Sequence, residues 1–392
     1  MFCPIPEDTE PTETIPPVQG TRYVPEARAL AQMTTIGVGG SVTKTVNADS
    51  AAELTEAVSE ADREGTECLI VGGGSNILAA DADFPGPVIH DQRSSIEILA
   101  DDGCSGARFR VAGGTPWDAV VAFSVEHGWM GLEGLSGIPG TAGAAPVQNI
   151  GAYGQDVSAA VAAVRTFDRK TGLQKTFFLS DMRFGYRSSI LKESILSGRW
   201  GNSPRWIVLD VEFHLRRATL GSPIRYKQLA QKLDTRIGQR VPAADVRRAV
   251  LELRAAKGMV LNDADRDTYS LGSFFTNPVL TEEQARLLPP DAPRFKVGDS
   301  TAVNQIGAAA PAVPGLVKTS AAWLIDHAGF APGFSLTAAA SLSTKHTLAL
   351  TNRGNAKAAD IMALARHIAD GVAAKFGVNL VPEPVLVGLR WN

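Results

Sequence analysis

One stretch constrains this chain more than any other: GLEGLSGIPGTAGAAPVQNIGAYGQDV, residues 131–157. Neither the 3.6-residue repeat of a helix nor the two-residue alternation of a strand survives there. A glycine-rich segment of that length inside a compact protein marks a functional loop system. Glycine accepts positive φ and lets backbone amides approach a ligand closely. Successive N–H groups then ring an anion. A second loop of the same character, Gly72-Gly73-Gly74-Ser75-Asn76, follows the apolar run CLIV at 68–71. Alone it reads as readily as a tight turn. Together the two loops could grip a pyrophosphate between them, which points to a nucleotide cofactor.

The flanking segments read as mixed α and β structure. SVTKTVNA (41–48) alternates as a strand. Ser50 and Glu53 form a capping-box pattern, and Leu54, Val58 and Ala61 follow at helical spacing until Gly65. The order so far is β-α-β and then a glycine loop. A second block begins near His90. ARFRVAGG (107–114) reads as a strand, and Thr115-Pro116-Trp117-Asp118 starts a helix with a cap, a proline at its first position and an acid in its first turn. Segments 161–169, 173–179 and 205–215 alternate and predict a largely antiparallel sheet. Helices are expected over 241–257, 320–329 and 355–377, with Ile361, Leu364, Ala365, Ile368, Val372 and Phe376 on one face of the last. Residues 285–315, rich in Pro and Ala, read as an excursion. A strand over 378–388 closes the chain around Pro382-Glu383-Pro384.

Composition excludes several classes. A chain of 392 residues suggests two or three domains. Its net charge of −3, with no long basic run, argues against nucleic acid or a membrane surface as partner. Cys3, Cys68 and Cys104 are odd in number and far apart, so no disulfide framework is expected and a reducing cytosol fits. Residues 1–20 lack a basic n-region and an apolar core; they read as a disordered extension and not a signal peptide. No apolar run approaches the ~18–20 residues of a membrane span.

The usual fingerprints are missing. Gly37-Val38-Gly39-Gly40 and Gly72–Ile77 both lack the third glycine of G-x-G-x-x-G, and no phosphate-binding G-x-x-x-x-G-K-[ST] occurs. There is no H-E-x-x-H and no G-x-S-x-G. The six histidines are scattered, none in the glycine loops, which predicts neither a metal site nor a histidine-linked flavin. His127, near a helix end, reads as a partner of the helix dipole. Three polar residues interrupt apolar segments: Arg187 in RFGYRSSILK, Ser273 between Gly272 and Phe274, and Glu383 between two prolines. A buried charge is costly without a partner. From pattern alone, a structural Arg–Glu pair with a hydrogen-bonded serine and a catalytic set both remain open.

At these residues the chain resembles a known family. GLEGLSGIPGTAGAAPVQNIGAYG, FGYRSSILK, GSFFTNP and LVPEP are similar, in content and order, to the hallmark segments of the UDP-N-acetylenolpyruvoylglucosamine reductases, from about residue 28 to 388. The resemblance implies an α+β protein with a two-subdomain FAD-binding unit, of the type in vanillyl-alcohol oxidase and p-cresol methylhydroxylase, plus a third, α+β substrate-binding domain. It places the first FAD subdomain at 21–90 and 379–392, the second at 91–258 and the substrate domain at 259–378. It implies non-covalent FAD, NADPH as co-substrate, and UDP-N-acetylglucosamine enolpyruvate as the molecule reduced, in a cytoplasmic monomer that makes peptidoglycan precursors. Arg187, Ser273 and Glu383 match the family's catalytic arginine, serine and glutamate. Gly72, Gly73, Gly74, Ser75, Asn76, Ile138, Pro139, Gly140, Gly143, Ala144, Ala145, Gln148, Asn149, Ile150, Gly151, Ala152 and Tyr153 match FAD contacts. Tyr226, Lys257 and Asn277 match substrate contacts, and Tyr226 marks the first subtype.

The chain departs from the family pattern in three ways. Thr276 stands where lysine is usual, Thr34 replaces an asparagine before the first glycine segment, and the N-terminal tail and the 285–315 excursion are long. Two other readings compete. A different oxidase on the same scaffold would keep the FAD loops but lack Ser273 and the terminal PEP. A non-catalytic flavin-binding protein would have lost Arg187, Ser273 or Glu383.

Overall fold

The computed structural model describes residues 26–299 and 311–391. The extension expected over 1–20 lies outside the described residues. Strand β1 (Val42–Ala48) leads into helix α1 (Ala51–Glu64). Ser50 accepts from the Glu53 amide at 3.1 Å, and Gly65 ends the helix at φ 65°. Glu53 reaches back to the Asp49 amide at 2.8 Å, one residue before the place a regular capping box uses. Strands β2 (Leu69–Val71), β3 (Ile77–Ala79) and β4 (Phe84–Asp91) follow. The chain order β-α-β and then a glycine loop is as expected; in the sheet β4 lies between β1 and β2 and is parallel to both. Pro85 and Pro87 disguise β4 in the sequence, because proline disrupts a central strand. They are tolerated because β2 pairs only with Val88 to His90.

The next region holds β5 (Ile96–Asp102), β6 (Gly106–Ala112), α2 (Trp117–Glu126) and β7 (Trp129–Met130). After the glycine-rich stretch come a small hairpin of β8 (Gly151–Ala152) and β9 (Gln155–Asp156), then β10 (Val161–Asp168), β11 (Leu173–Phe178), α3 (Ile190–Leu196), β12 (Arg199–Asn202) and β13 (Trp206–Arg217). The sheet is antiparallel as expected, in the order β11-β10-β13-β6-β5. Helix α2 packs Trp117, Val120 and Val121 against Phe109, Val111 and Phe213 of that sheet. The Trp117 and Phe213 rings stand 5.9 Å apart, and full burial of such a side chain stabilises by roughly 2–3 kcal/mol. Trp117 Nε1 also donates to the Leu135 carbonyl at 3.1 Å, which ties the glycine-rich stretch to the helix. The helix start differs from expectation. Pro116 occupies the cap position with no side-chain bond, and Thr115 Oγ1 accepts from the Ser95 amide at 3.1 Å. His127 sits at the other end, its Nδ1 2.8 Å from the Phe123 carbonyl.

Helices α4 (Lys227–Lys232) and α5 (Ala243–Ala256) pack on each other. Next come β14 (Val279–Thr281), α6 (Glu282–Arg286), β15 (Phe295–Gly298) and β16 (Ala312–Lys318). The 285–315 segment therefore needs correction over its described part: β15 and β16 form an antiparallel sheet with β14. Helix α7 (Ala321–His327), strands β17 (Ala340–Leu342) and β18 (Leu350–Asn352), and helix α8 (Ala358–Phe376) build one core, in which Ile361, Leu364, Ala365, Ile368 and Val372 are buried. The last strand, β19 (Val385–Val387), is shorter than expected, since Pro382 and Pro384 interrupt the ladder. It runs parallel to β3, with Val385 opposite Ile77. No helix among the described residues is long and apolar enough to cross a membrane.

Candidate active site

The pairing of β19 with β3 carries Glu383 over the Gly72–Asn76 loop. The Val385 amide donates to the Asn76 carbonyl at 2.9 Å. The same loop is tied to the glycine-rich stretch: Ser75 Oγ donates to the Pro139 carbonyl at 3.0 Å, and Asn76 Nδ2 to Gln148 Oε1 at 2.6 Å. One cavity runs between them. Gly72, Gly73, Gly74, Ser75 and Asn76 line one side, and Ile138, Pro139, Gly140, Gly143, Ala144, Ala145, Gln148, Ile150 and Gly151 the other. The wall is mostly backbone by necessity. At Gly74, φ is 60° and an added Cβ would sit 1.8 Å from the Met33 carbonyl oxygen; at Gly72 it would sit 2.5 Å from Thr141 Oγ1. Such a wall suits an anionic, extended ligand approached by main-chain amides.

Arg187, Ser273 and Glu383 line the same cavity. Arg187 lies in the turn between Gly185 and Ser188 at φ 54°, a conformation that costs a non-glycine residue roughly 1–3 kcal/mol. Its guanidinium is held by the Asn149 and Gly151 carbonyls at 3.0 and 2.7 Å and lies 3.5 Å from Asp156 Oδ1. Its Nε stands 3.2 Å from Glu383 Oε1. Ser273 and Glu383 are brought together by backbone pairing: Phe275 bridges Pro382, and the Glu383 amide donates to the Phe274 carbonyl at 2.8 Å. The Ser273 hydroxyl bonds to none of the described residues.

Electrostatics follow from burial. Burial pushes the Glu383 carboxyl above the usual carboxylate range, although Arg187 and then Lys192 pull it down. Burial disfavours the charge on Arg187 most, but Glu383, Tyr186 and Asp156 together outweigh it and the net shift is upward. Lys192 is lowered, first by burial, with Glu383 opposing. A carboxyl biased toward its neutral form beside a fixed cation is the arrangement found where an enzyme must meet developing negative charge.

The chain's relatives now bear on what this cavity serves. A family model described as "FAD binding domain" matches residues 42–176, and one described as "UDP-N-acetylenolpyruvoylglucosamine reductase, C-terminal domain" matches 264–387. The UDP-N-acetylenolpyruvoylglucosamine reductase of Salinispora arenicola is 46% identical, covering 91% of this chain and 94% of its own. The chain belongs to the UDP-N-acetylenolpyruvoylglucosamine reductase family. The reductase of Thermobifida fusca is likewise 46% identical over 92% of this chain and 97% of its own. The crystal structure of the reductase from Thermus caldophilus aligns with a TM-score of 0.56 at 24% identity, covering 92% of this chain and 97% of that one, which shows the shared fold.

Within this reductase fold, not every residue singled out in the sequence faces the cavity. Asn149, Ala152 and Tyr153 lie outside its lining. Asn149 works behind the wall: its Nδ2 donates to the Gly185 carbonyl at 2.9 Å and its own carbonyl accepts from Arg187, so it holds the arginine turn. Tyr153 packs edge-on against Tyr226 at 5.3 Å, and Lys257 Nζ stands 5.8 Å from the Tyr153 ring. Lys257 follows α5 and donates to Gln228 Oε1 at 2.7 Å. Asn277 sits apart from that group; its Oδ1 accepts from the Ala321 amide at 3.0 Å and its amide donates to Tyr186 Oη at 3.2 Å. Of the two departures within the described residues, Thr276 turns to the Val381 carbonyl, and Thr34 Oγ1 donates to the Val38 carbonyl at 3.1 Å.

Several lining residues escape a sequence reading. Arg254, on the amphipathic helix α5, is half-buried and donates to the Met259 carbonyl at 2.9 Å, while its buried Nε has no partner among the described residues. Asp91, at the end of β4, is gripped by Arg93 Nε and Nη2 at 2.8 and 2.7 Å. Lys192 sits in the first turn of α3, facing the cavity. The one available signal was for Lys192: a cation at a helix N-terminus opposes the helix dipole.

Proposed function

We propose that this chain reduces UDP-N-acetylglucosamine enolpyruvate to UDP-N-acetylmuramate at the expense of NADPH, with non-covalently held FAD, in the synthesis of peptidoglycan precursors. The observation that carries the reading is that Arg187, Ser273 and Glu383 line the cavity whose walls are the two glycine loops. Those walls fit FAD: a side chain at Gly72 or Gly74 would collide with the backing chain, and neither histidine nor cysteine, the common points of covalent flavin attachment, lines the cavity. The unit 21–90 with 379–392 and the unit 91–258 then hold the cofactor, and 259–378 closes on substrate. The protein acts as a cytoplasmic monomer.

When bound, FAD would supply the hydride relay from NADPH to C3 of the enolpyruvyl ether. Negative charge then spreads over C2 and the substrate carboxylate, and must be stabilised where it develops. Arg187 offers donors suited to that carboxylate, and its orientation is fixed by the Asn149 and Gly151 carbonyls before substrate arrives. Glu383, in its protonated form, donates a hydrogen bond to the same charge. Ser273 gives its hydroxyl proton to C2 and recovers one from solvent; a free serine is a poor acid, so the developing carbanion and fixed geometry must drive the transfer. Gly72 to Asn76, Ile138 to Gly140, Gly143 to Ala145, Gln148, Ile150 and Gly151 would hold FAD. Tyr226, Lys257 and Asn277 receive the UDP-sugar, with Lys257 as a point charge for the diphosphate.

An anaerobic absorbance experiment tests the reading. The purified protein should show a flavin spectrum that bleaches with NADPH and returns on addition of the UDP-sugar enolpyruvate. Bleaching without return would assign the flavin to a different acceptor.

A further inference from the structure

The catalytic cavity holds a third cation that neither glycine loop nor the Arg187 turn accounts for. Lys192 lies in the first turn of α3, where the helix dipole disfavours a positive charge, and it is half-buried against the cavity. Its ammonium forms an ion pair with none of the described carboxylates; it donates to the main-chain carbonyl of Glu383 at 3.2 Å. Asn76 Nδ2 approaches the same carbonyl at 3.5 Å. The segment that carries Glu383 is thus clamped from two sides at the residue whose side chain meets Arg187. Burying a lysine is expensive, and one hydrogen bond to a neutral carbonyl does not offset it. The charge has a use only if something nearby gains from it, and the group that gains is the Glu383 carboxyl.

We propose that Lys192 is a positioning residue for Glu383, clamping its backbone and setting, with Arg187, how readily its carboxyl gives up a proton. This rests on the proposed catalytic role of Glu383. The other ionisable groups around the pair are Tyr186 on the same turn as Arg187, Asp156 on β9 against Arg187, and Lys318 on β16, whose Nζ stands 4.4 Å from the Tyr186 ring centre. None of these three bonds Glu383 directly. Removing the Lys192 charge therefore leaves Arg187 as the one cation that stabilises the carboxylate, against unchanged burial, and the neutral acid gains.

The test uses FAD-loaded enzyme. Infrared titration follows the protonated-carboxyl band that E383Q abolishes. K192Q should raise the midpoint of that band by about one pH unit, the scale of a single nearby charge, and K192R should return it toward the wild-type position. The limb of the kcat/KM profile for the UDP-sugar that belongs to Glu383 should move the same way. An identical midpoint in wild type and K192Q would overturn the proposal, as would loss of flavin from both Lys192 variants, which would make the lysine part of the cofactor site instead. Failure of the wild-type enzyme to reduce the UDP-sugar would sink the Glu383 reading itself, and the infrared midpoint separates the two cases.

Discussion

Arg187 Nε and Glu383 Oε1 stand 3.2 Å apart although one belongs to a turn before α3 and the other to the segment entering β19. Arg187 also donates from Nη1 to the Asn149 carbonyl and from Nη2 to the Gly151 carbonyl, so its position does not rest on the glutamate alone. The proposed function makes this pair a preorganised site and not merely a structural bridge, and that difference can be measured. Glu383→Ala should keep flavin and its bleaching by NADPH, while slowing flavin reoxidation by the UDP-sugar by about 10²–10³, the loss typical when one preorganised donor is removed. Stopped-flow absorbance measures both phases. Equal slowing of both phases would show that Glu383 supports the cofactor rather than the second transfer.

Ser273 gives a sharper separation. Its hydroxyl bonds to none of the described residues, so Ser273→Ala should leave packing undisturbed and the melting temperature within about 2 °C of wild type, as expected of a change that removes no buried contact. Reoxidation by the UDP-sugar should fall by about 10²–10⁴, the range for a missing general acid. Reduction by NADPH should persist. Normal reoxidation in this variant would remove Ser273 from the mechanism.

Much of this site was legible because its walls are continuous in sequence. Gly72 to Asn76 and Ile138 to Gly151 each contribute a run of neighbours, and a run of glycines cannot be mistaken for helix or strand. What escaped was assembled from residues that look ordinary where they stand. Arg254 and Lys192 drew no reading in the sequence, because helical periodicity reports which face is apolar and not whether a charged residue is covered by a distant loop. β4 escaped because Pro85 and Pro87 mask a strand whose pairing begins beyond them on one side. The distinction between Gln148, which faces the cavity, and Asn149, which braces Arg187 from behind, depends on positive φ at Asn149, and pattern does not reveal that.

The cradle itself can be broken at one atom. Gly74→Ala places a methyl about 1.8 Å from the Met33 carbonyl at φ 60°, so the loop must move. The variant should fold with a stability loss of about 1–3 kcal/mol and purify without flavin, since strain at such a position is relieved by shifting the backbone that forms the wall. Urea melts and the ratio of flavin to protein absorbance check both halves. Full flavin content in G74A would mean that the cofactor does not depend on this wall.

Two histidines, one buried and one half-buried, predict the acid limit of the fold. His90 is lowered to about 4 by burial, against a bond it donates to the Gly72 backbone, and His346 to about 4 by burial together with Lys257 and Arg254. In the unfolded chain both would titrate near 6.5. Between pH 6.5 and 4 the unfolded state therefore binds protons that the folded state refuses, so stability rises with pH in that window. The contribution is fully present above pH 6.5 and lost as pH falls toward 4, by up to about 3 kcal/mol for each histidine. H90Q should flatten the dependence of unfolding free energy on pH across that window, measured by denaturant titration. An unchanged slope would exclude His90 as its source.

Lys257 makes the last prediction, because it is charged, partly buried and not committed to a carboxylate. Burial lowers its pKa, and the neighbouring Arg254 lowers it further. Its ammonium donates to the neutral Gln228 Oε1 at 2.7 Å, which leaves two donors and a full charge for an incoming anion. An arriving diphosphate would relieve the repulsion from Arg254 and restore the affinity of Lys257 for its proton. K257M should therefore raise the KM for the UDP-sugar by roughly 10- to 100-fold with little change in kcat, since one charge-assisted hydrogen bond contributes about 1.5–3 kcal/mol and is present in both ground and transition states. The same variant should bleach normally with NADPH. Steady-state kinetics against the UDP-sugar decides it: a loss in kcat at unchanged KM would move Lys257 out of the binding site and into the chemistry at the flavin.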